Sequence, residues 1–144
     1  MSAAAEASSD LGESGVDSAN GPQRIRLSIP GLPDFVRLAR LAAVDAGSRL
    51  GLDYEQIEDL RIGVDELCFA VLPSSDAQPV TADLDLTFTL HPDRLEVEGS
   101  CAVGSSAAQQ SELSRTIVAA VVDEFSLDLA DGVHRFRLSK QRDA

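Results

Sequence analysis

Glu66 is a residue whose side chain could act as a general base. It lies within a predicted amphipathic helix, where a positioned carboxylate could accept a proton from a substrate. Glu58, Asp59 and Asp65 add carboxylates to the same segment, but no histidine or second acidic helix follows at a spacing that would complete a metal site. Acids on the flank of such a helix are more commonly solvated charges. The residues alone therefore predict a polar helix face rather than a catalytic or metal centre.

The other reactive side chains are few and dispersed. Cys68 and Cys101 form no CxxC motif, and such isolated cysteines are typical of buried, reduced thiols. His91 and His134 stand far apart in the sequence. The Ser105-Ser106 pair has no histidine in its own loop to activate a hydroxyl, so a hydrolase is disfavoured. No metal site is predicted.

Two arginines on the first predicted helix suggest a binding role instead. Arg37 and Arg40 are three residues apart, which places them on neighbouring helical turns. Guanidinium groups in this arrangement can cover apolar surface with their stems or reach the carboxylates of a partner protein. Both interpretations remain open from the residues alone.

The overall charge limits the kinds of partner. The chain of 144 residues carries 24 acidic and 12 basic side chains, for a formal net charge of −12. This balance repels a phosphate backbone, so direct nucleic-acid binding is disfavoured, whereas a basic protein surface would be attracted. Acidity that serves solubility alone is the other interpretation. No apolar run approaches the roughly 20 residues needed to span a bilayer, and the first residues do not form a targeting signal, so we expect a cytoplasmic protein.

The composition of residues 1–22, mostly small and polar with four acids and no base, predicts a disordered acidic tail. Hydrophobic periodicity predicts one folded domain over residues 23–144. Strand alternation and helical spacing predict eight elements, in the order β-α-α-β-β-α-β-β. They cover residues 24–29, 33–50, 54–72, 80–90, 95–101, 113–122, 125–129 and 134–138. This order predicts an α+β fold, a two-layer sandwich with the helices on one face of a mixed or antiparallel sheet.

Local signals fix several of the element ends. Pro33 suits a first helical turn, and Gly51 ends the first helix. Asp53 and Gln56 have the spacing of a capping box at the start of the second helix. On the first helix, the apolar face is predicted to comprise Phe35, Leu38, Ala39, Ala42, Val44 and Ala46.

The second helix carries a recognisable motif. The run from Asp59 to Cys68, with the sequence DLRIGVDELC, resembles the signature helix of bacterial anti-sigma factor kinases of the RsbW type, which have the histidine-kinase-like ATPase fold. The resemblance covers roughly residues 24–140 and includes the element order, Arg40 on the first helix and the closing hairpin. It implies that Glu66 matches the catalytic base of that family and that Arg40 lies in the surface that meets the sigma factor and its antagonist.

At the nucleotide-binding positions the chain departs from the family pattern. The family has a Mg²⁺-binding Asn four residues after the Glu, and here that position is Ala70, whose methyl group cannot hold the ion. The positions of the family's DxGxG motif read Cys101, Val103 and Ser105, so the adenine-reading Asp is absent. The glycine-rich lid falls near Glu112 and Ser114, which lack the conformational freedom of glycine.

The resemblance therefore implies an anti-sigma factor-like regulator that has lost its nucleotide chemistry and needs neither ATP nor Mg²⁺. Its partners would be a sigma factor of RNA polymerase and an antagonist protein, and the family setting allows a homodimer and a role in stress response. An active Mg-ATP-dependent serine protein kinase of the same family is the second hypothesis. The third is a module on the same fold that binds proteins other than sigma factors.

Overall fold

The computed structural model describes residues 21–73, 82–104, 111–130 and 132–143. The predicted tail, apart from its last two residues, and Ser105 lie outside this part of the chain. The elements are the strands β1 (Gln23–Pro30), β2 (Asp83–Leu90), β3 (Arg94–Ala102), β4 (Glu124–Ala130) and β5 (Val133–Gln141), and the helices α1 (Val36–Leu50), α2 (Tyr54–Val71) and α3 (Glu112–Val121). The predicted α+β class and element order are confirmed.

The five strands form one sheet in the order β1-β2-β3-β5-β4, and each pairing is antiparallel. Of the two sheet types expected, the antiparallel one is therefore correct. In the closing hairpin β4–β5, strand β4 lies at the edge of the sheet and β5 lies next to β3. The strands β3 and β5 therefore pair, although α3 and β4 lie between them in sequence. One transverse row shows the register, with Leu27, Leu86, Gly99, Phe136 and Leu127 as successive partners across the sheet.

Glycine occupies the centre of that row because the neighbouring ring leaves no room. A Cβ on Gly99 would lie 2.3 Å from the Cε2 atom and 2.8 Å from the Cζ atom of Phe136. Separations this short are repulsive, so any larger residue at position 99 would force the ring or the strand to move. The close fit fixes the relative position of β3 and β5.

The helix α2 begins at the predicted capping box. The Asp53 side chain accepts a hydrogen bond from the backbone N–H of Gln56 at 2.8 Å, and the backbone N–H of Asp53 donates to Gln56 Oε1 at 3.0 Å. These bonds satisfy donors that a helix start leaves unpaired. Gly51, with a φ of 91°, closes α1 in the left-handed conformation and allows the chain to turn directly into α2.

The buried face of α1 differs from the predicted one. It consists of Val36, Ala39, Ala43, Ala46 and Gly47, whereas Leu38 is 45% exposed. A short 3₁₀ turn, Pro33–Phe35, precedes α1, so the α-helix begins at Val36. The core-facing residues of α1 are small. Small side chains let a helix lie close to its neighbours, and the larger leucine then lies on the outer side of α1.

The core lies between the helices and one face of the sheet. Its largest fully buried side chains are Phe88, Leu60, Leu67, Leu72, Leu84, Leu86, Leu95 and Leu138. Lys140 links the layers, because its Nζ donates to the carbonyl of Val121 at 2.9 Å and lies 3.4 Å from Oδ2 of Asp59. The platform that carries the candidate site is therefore held by apolar packing and by this partly buried ammonium.

Candidate partner-binding face and nucleotide-site positions

The arginines predicted to bind a partner lie on the outer side of α1. Arg37 is exposed and makes no ion pair with the described residues, while Arg40 is partly buried where α1 meets α2. The guanidinium of Arg40 donates from Nη1 to Oδ1 of Asp65 on α2, which forms an ion pair between the two helices. The first helix therefore presents Arg37, which has no ion-pair partner in the described part of the chain, and Arg40, which the neighbouring helix orients.

Asp65 was assigned from the sequence only to a solvated acidic segment. In the structure its side chain is 31% exposed and pairs with Arg40, 25 positions earlier in the chain. Helical periodicity places each residue on its own helix face, but the pairing depends on how the two helices cross, which no local pattern encodes. The structure thus adds Asp65 to the residues of this face.

Phe69 is a second residue that the sequence reasoning missed. It lies one turn beyond Asp65 on α2 and is 39% exposed. The buried stripe of α2 includes Leu60, Val64, Leu67, Cys68 and Val71, so Phe69 falls outside that stripe. Its position off the apolar period was a usable signal, because a phenylalanine on the polar side of a helix has no core to fill.

The positions that match the family's catalytic base and its Mg²⁺-binding Asn both lie on α2. Glu66 is half-buried, and Ala70 is buried with 3% of its surface exposed. They are four positions apart and so share one side of the helix, as predicted. The side chain at position 70 offers no oxygen to a cation, so the residues present do not fit the Mg²⁺ that the family pattern would place there.

Cys101 and Val103, at the DxGxG positions, belong to the hydrophobic core. Each is 1% exposed, and Cys101 lies near the end of β3. Neither side chain has a carboxylate that could accept a hydrogen bond from an adenine amino group. Ser105, the third position of the motif, lies outside the described residues.

Burial also makes the two thiols unreactive. Desolvation raises the pKa of Cys68, and the charge of Asp65 raises it further. Desolvation likewise raises the pKa of Cys101, with the charges of Asp85 and Asp83 acting in the same direction. A thiol that keeps its proton at neutral pH is a weak nucleophile and a weak metal ligand. Both cysteines are free and buried, as the sequence predicted for reduced thiols.

His134 is a buried polar residue next to Cys101. It is 2% exposed, it pairs with Cys101 in the β3–β5 register, and its Nδ1 has no hydrogen-bond partner among the residues that the structure describes. Among the described residues, no group of three or more histidine, cysteine, aspartate and glutamate side chains could hold a metal ion. The sequence had given His134 only as a strand residue.

On the opposite, helix-free face of the sheet, Glu96 is the centre of an ion-pair network. His91 Nε2 lies 2.6 Å from Glu96 Oε1, and Arg137 donates to Glu96 Oε2. Burial raises the pKa of Glu96, but the hydrogen bonds from His91 and Arg137 outweigh it and hold the pKa below its ordinary value. The network joins the β2–β3 turn to β5.

We expect Glu96→Gln to destabilise the protein at neutral pH and to have little effect in acid. A carboxylate with a lowered pKa stabilises the fold above its unfolded pKa of about 4.3, and this contribution is lost as the pH falls through the folded pKa. Urea unfolding of wild type and variant from pH 7 to about pH 3 measures the difference. Glu98→Gln, at an exposed position of the same strand, is the matched control. A difference that grew as the pH fell would contradict the expected sign.

No described helix is long and apolar enough to cross a membrane.

The fold has the architecture of a histidine-kinase-like ATPase domain. It matches the crystal structure of the RsbU and RsbW domains of Rv1364c from Mycobacterium tuberculosis with a TM-score of 0.63 and 13% sequence identity, over 85% of this chain and 34% of that chain. At this identity the match concerns the fold.

Sequence similarity points to the same group of proteins. The chain is 32% identical over 78 residues to the serine-protein kinase RsbW of Bacillus subtilis, which covers 54% of this chain and 49% of that protein. It is 34% identical over 76 residues to the RsbW of Halalkalibacterium halodurans, over 53% of this chain and 46% of that protein. No protein-family model matches. The resemblance to RsbW-type proteins inferred from α2 is confirmed, and the aligned region spans about half the length of these curated relatives.

Proposed function

We propose that this chain is an anti-sigma factor-like regulator that binds a sigma factor of RNA polymerase, is controlled by an antagonist protein and has lost the nucleotide chemistry of its relatives. The observation that carries the proposal is a contrast within one fold. The α1 arginines remain at the surface, whereas Ala70, Cys101 and Val103 occupy the nucleotide-site positions with buried side chains that lack oxygen. Binding to protein is kept and binding to Mg-ATP is lost.

Charge supports the choice of partner. With a net charge of −12, the chain is attracted over long range to a basic surface, such as one that binds DNA. An inhibitor that covers the DNA-binding surface of a sigma factor would keep it from promoters without touching DNA itself. We place the protein in the cytoplasm, where RNA polymerase works, and include a homodimer and a role in stress response in the proposal.

A serine protein kinase is the second candidate, because the aligned relatives carry that name and Glu66 stands at the position of the catalytic base. A module that binds proteins other than sigma factors is the third. The three candidates differ in whether they bind Mg-ATP and in which protein they retain.

We expect millimolar Mg-ATP to leave the melting temperature unchanged. A ligand that binds only the native state raises the melting temperature by mass action, so a protein without a functional site shows no shift. The RsbW of Bacillus subtilis, treated identically, is the control for the assay. A clear shift for this chain, or phosphate transfer to a candidate antagonist, would favour the kinase.

The partner is identified by affinity capture from a bacterial lysate followed by mass spectrometry. A sigma subunit that then binds the chain as a purified protein supports the anti-sigma proposal. Reproducible binding of some other protein, with no sigma subunit retained, would replace it with the third candidate.

A further inference from the structure

Strand β4 lies at an edge of the sheet, and no described strand pairs with its outer side. On its inner side it pairs with β5 in an unbroken antiparallel register from Glu124 to Ala130. A strand at the edge of a sheet presents backbone N–H and C=O groups that can pair with another extended chain. Strand β4 therefore offers main-chain hydrogen-bonding groups along its 7 residues.

The two edges of the sheet differ in how they resist pairing with another chain. The opposite edge, β1, carries Arg24 and Arg26 and ends at Pro30, which has no backbone N–H to donate. Basic side chains and proline are common devices that keep an edge strand from pairing. Strand β4 contains neither a proline nor a basic residue. It is therefore the more favourable edge for the addition of a strand.

The apolar side chains of β4 are only partly covered by the helices. Phe125, Leu127 and Leu129 each keep part of their surface in solvent, whereas their cross-strand partners on β5 are each 3% exposed or less. The guanidinium of Arg115 on α3 lies 5.8 Å from the centre of the Phe125 ring and covers that end of the strand. Apolar side chains of an added strand would complete the burial of Leu127 and Leu129.

The other side of β4 is acidic. Glu124 and Asp128 are exposed there, and neither forms an ion pair within the described ranges of the chain. Arg135 is opposite Asp128 in the β4–β5 register, but the two side chains are not joined by an ion pair. Opposite charges across two strands stabilise the pairing, and like charges destabilise it. A strand that pairs with β4 should therefore carry Lys or Arg beside Glu124 and Asp128.

We propose that the β4 edge binds an extended segment of another protein, in which apolar residues alternate with Lys or Arg, as an additional strand of the sheet. Main-chain hydrogen bonds hold the segment, and the alternation of its side chains selects it. The apolar side chains meet Leu127 and Leu129 on one side of the sheet, while the basic side chains meet Glu124 and Asp128 on the other. This edge is separate from α1, which packs on α2, β2 and β3, so the inference goes beyond the proposed function.

Charge disfavours two occupants that this chain itself could supply. If the β4 strands of two copies paired in an antiparallel manner, Glu124 and Asp128 of both copies would share one side of the sheet, and neither strand carries a base. Residues 1–20 carry four acids and no base, so they would also bring like charge to this edge. A basic segment of another protein has the complementary sign.

The first test uses two synthetic peptides as long as β4, one alternating valine with lysine and the other alternating valine with glutamate. Each is added to the full chain labelled with ¹⁵N, and the amide resonances are followed by NMR. We expect the lysine peptide to shift the resonances of β4 but not those of β1, the other edge, and the glutamate peptide to leave β4 unchanged. Equal shifts at both edges, or the same shifts of β4 with both peptides, would overturn the inference. An absence of shifts at millimolar lysine peptide would also overturn it and leave Glu124 and Asp128 as charges that protect the edge.

The second test reverses the charge of the edge. Glu124→Lys combined with Asp128→Lys should weaken binding of the lysine peptide about tenfold and strengthen binding of the glutamate peptide by a similar factor. The matched control combines Asp34→Lys with Glu55→Lys, which changes the net charge equally at exposed positions near α1 and α2, and should keep both affinities within about twofold. Circular dichroism checks that the variants are folded. Equal weakening in both double variants would contradict recognition at β4. Binding of a sigma factor should not respond to the β4 variant, so the proposed function and this inference can fail separately.

Discussion

If the proposed function is correct, Arg40→Glu is expected to weaken binding to a sigma factor by about 2 to 5 kcal/mol, because it reverses a charge that we propose meets carboxylates of the partner. Its effect on folding should be smaller, about 1 kcal/mol, since the introduced carboxylate replaces a cation beside Asp65 at a partly exposed site. Calorimetric titration gives the first quantity and urea unfolding gives the second.

A charge swap separates recognition from structure. Combining Arg40→Glu with Asp65→Arg rebuilds an ion pair between α1 and α2 with the signs exchanged. We expect the double variant to recover stability but not affinity, because position 40 still presents a negative charge. Recovery of both together would mean that Arg40 acts only by holding the two helices.

Phe88→Ala is expected to lower the free energy of unfolding by about 3 to 5 kcal/mol, through lost burial and a cavity that the sheet cannot close. Phe88 has no exposed surface and stands on β2 between Ile25 of β1 and Val97 of β3. Phe69→Ala removes the same side chain from the outer side of α2 and should cost less than about 1 kcal/mol. Urea unfolding followed by circular dichroism compares the two variants. Similar losses would mean that Phe69 is part of the core.

The elements were predictable because their signals are local. The capping box at Asp53, the glycine at position 51 and the alternation along β2 each involve neighbours in sequence, and each is present in the structure. The start of β2 was predicted at Val80, whereas the strand begins at Asp83, and residues 74–81 lie outside the described part. Strand ends depend on pairing partners, and periodicity does not specify these.

Sheet order and the composition of the candidate site could not be read from such patterns. The pairing of β3 with β5 joins Cys101 to His134 across an intervening helix and strand. Alternation shows which side chains share a face but not which strand lies beside them. The same limit applies to Arg40, whose residue type and helix were predicted, while its partner Asp65 became evident only from the helix crossing.

The small side chains beneath α1 bear on how such a regulator can evolve. Val36, Ala39, Ala43 and Ala46 hold the helix to the rest of the domain, whereas the side chains that would meet a partner point away from that contact. Substitutions at Arg37, Leu38 or Leu41 can therefore accumulate with little loss of stability, since each of these side chains is exposed. After gene duplication, two copies could diverge in partner choice through substitutions on the exposed side of α1. The buried residues that stabilise the fold would not need to change.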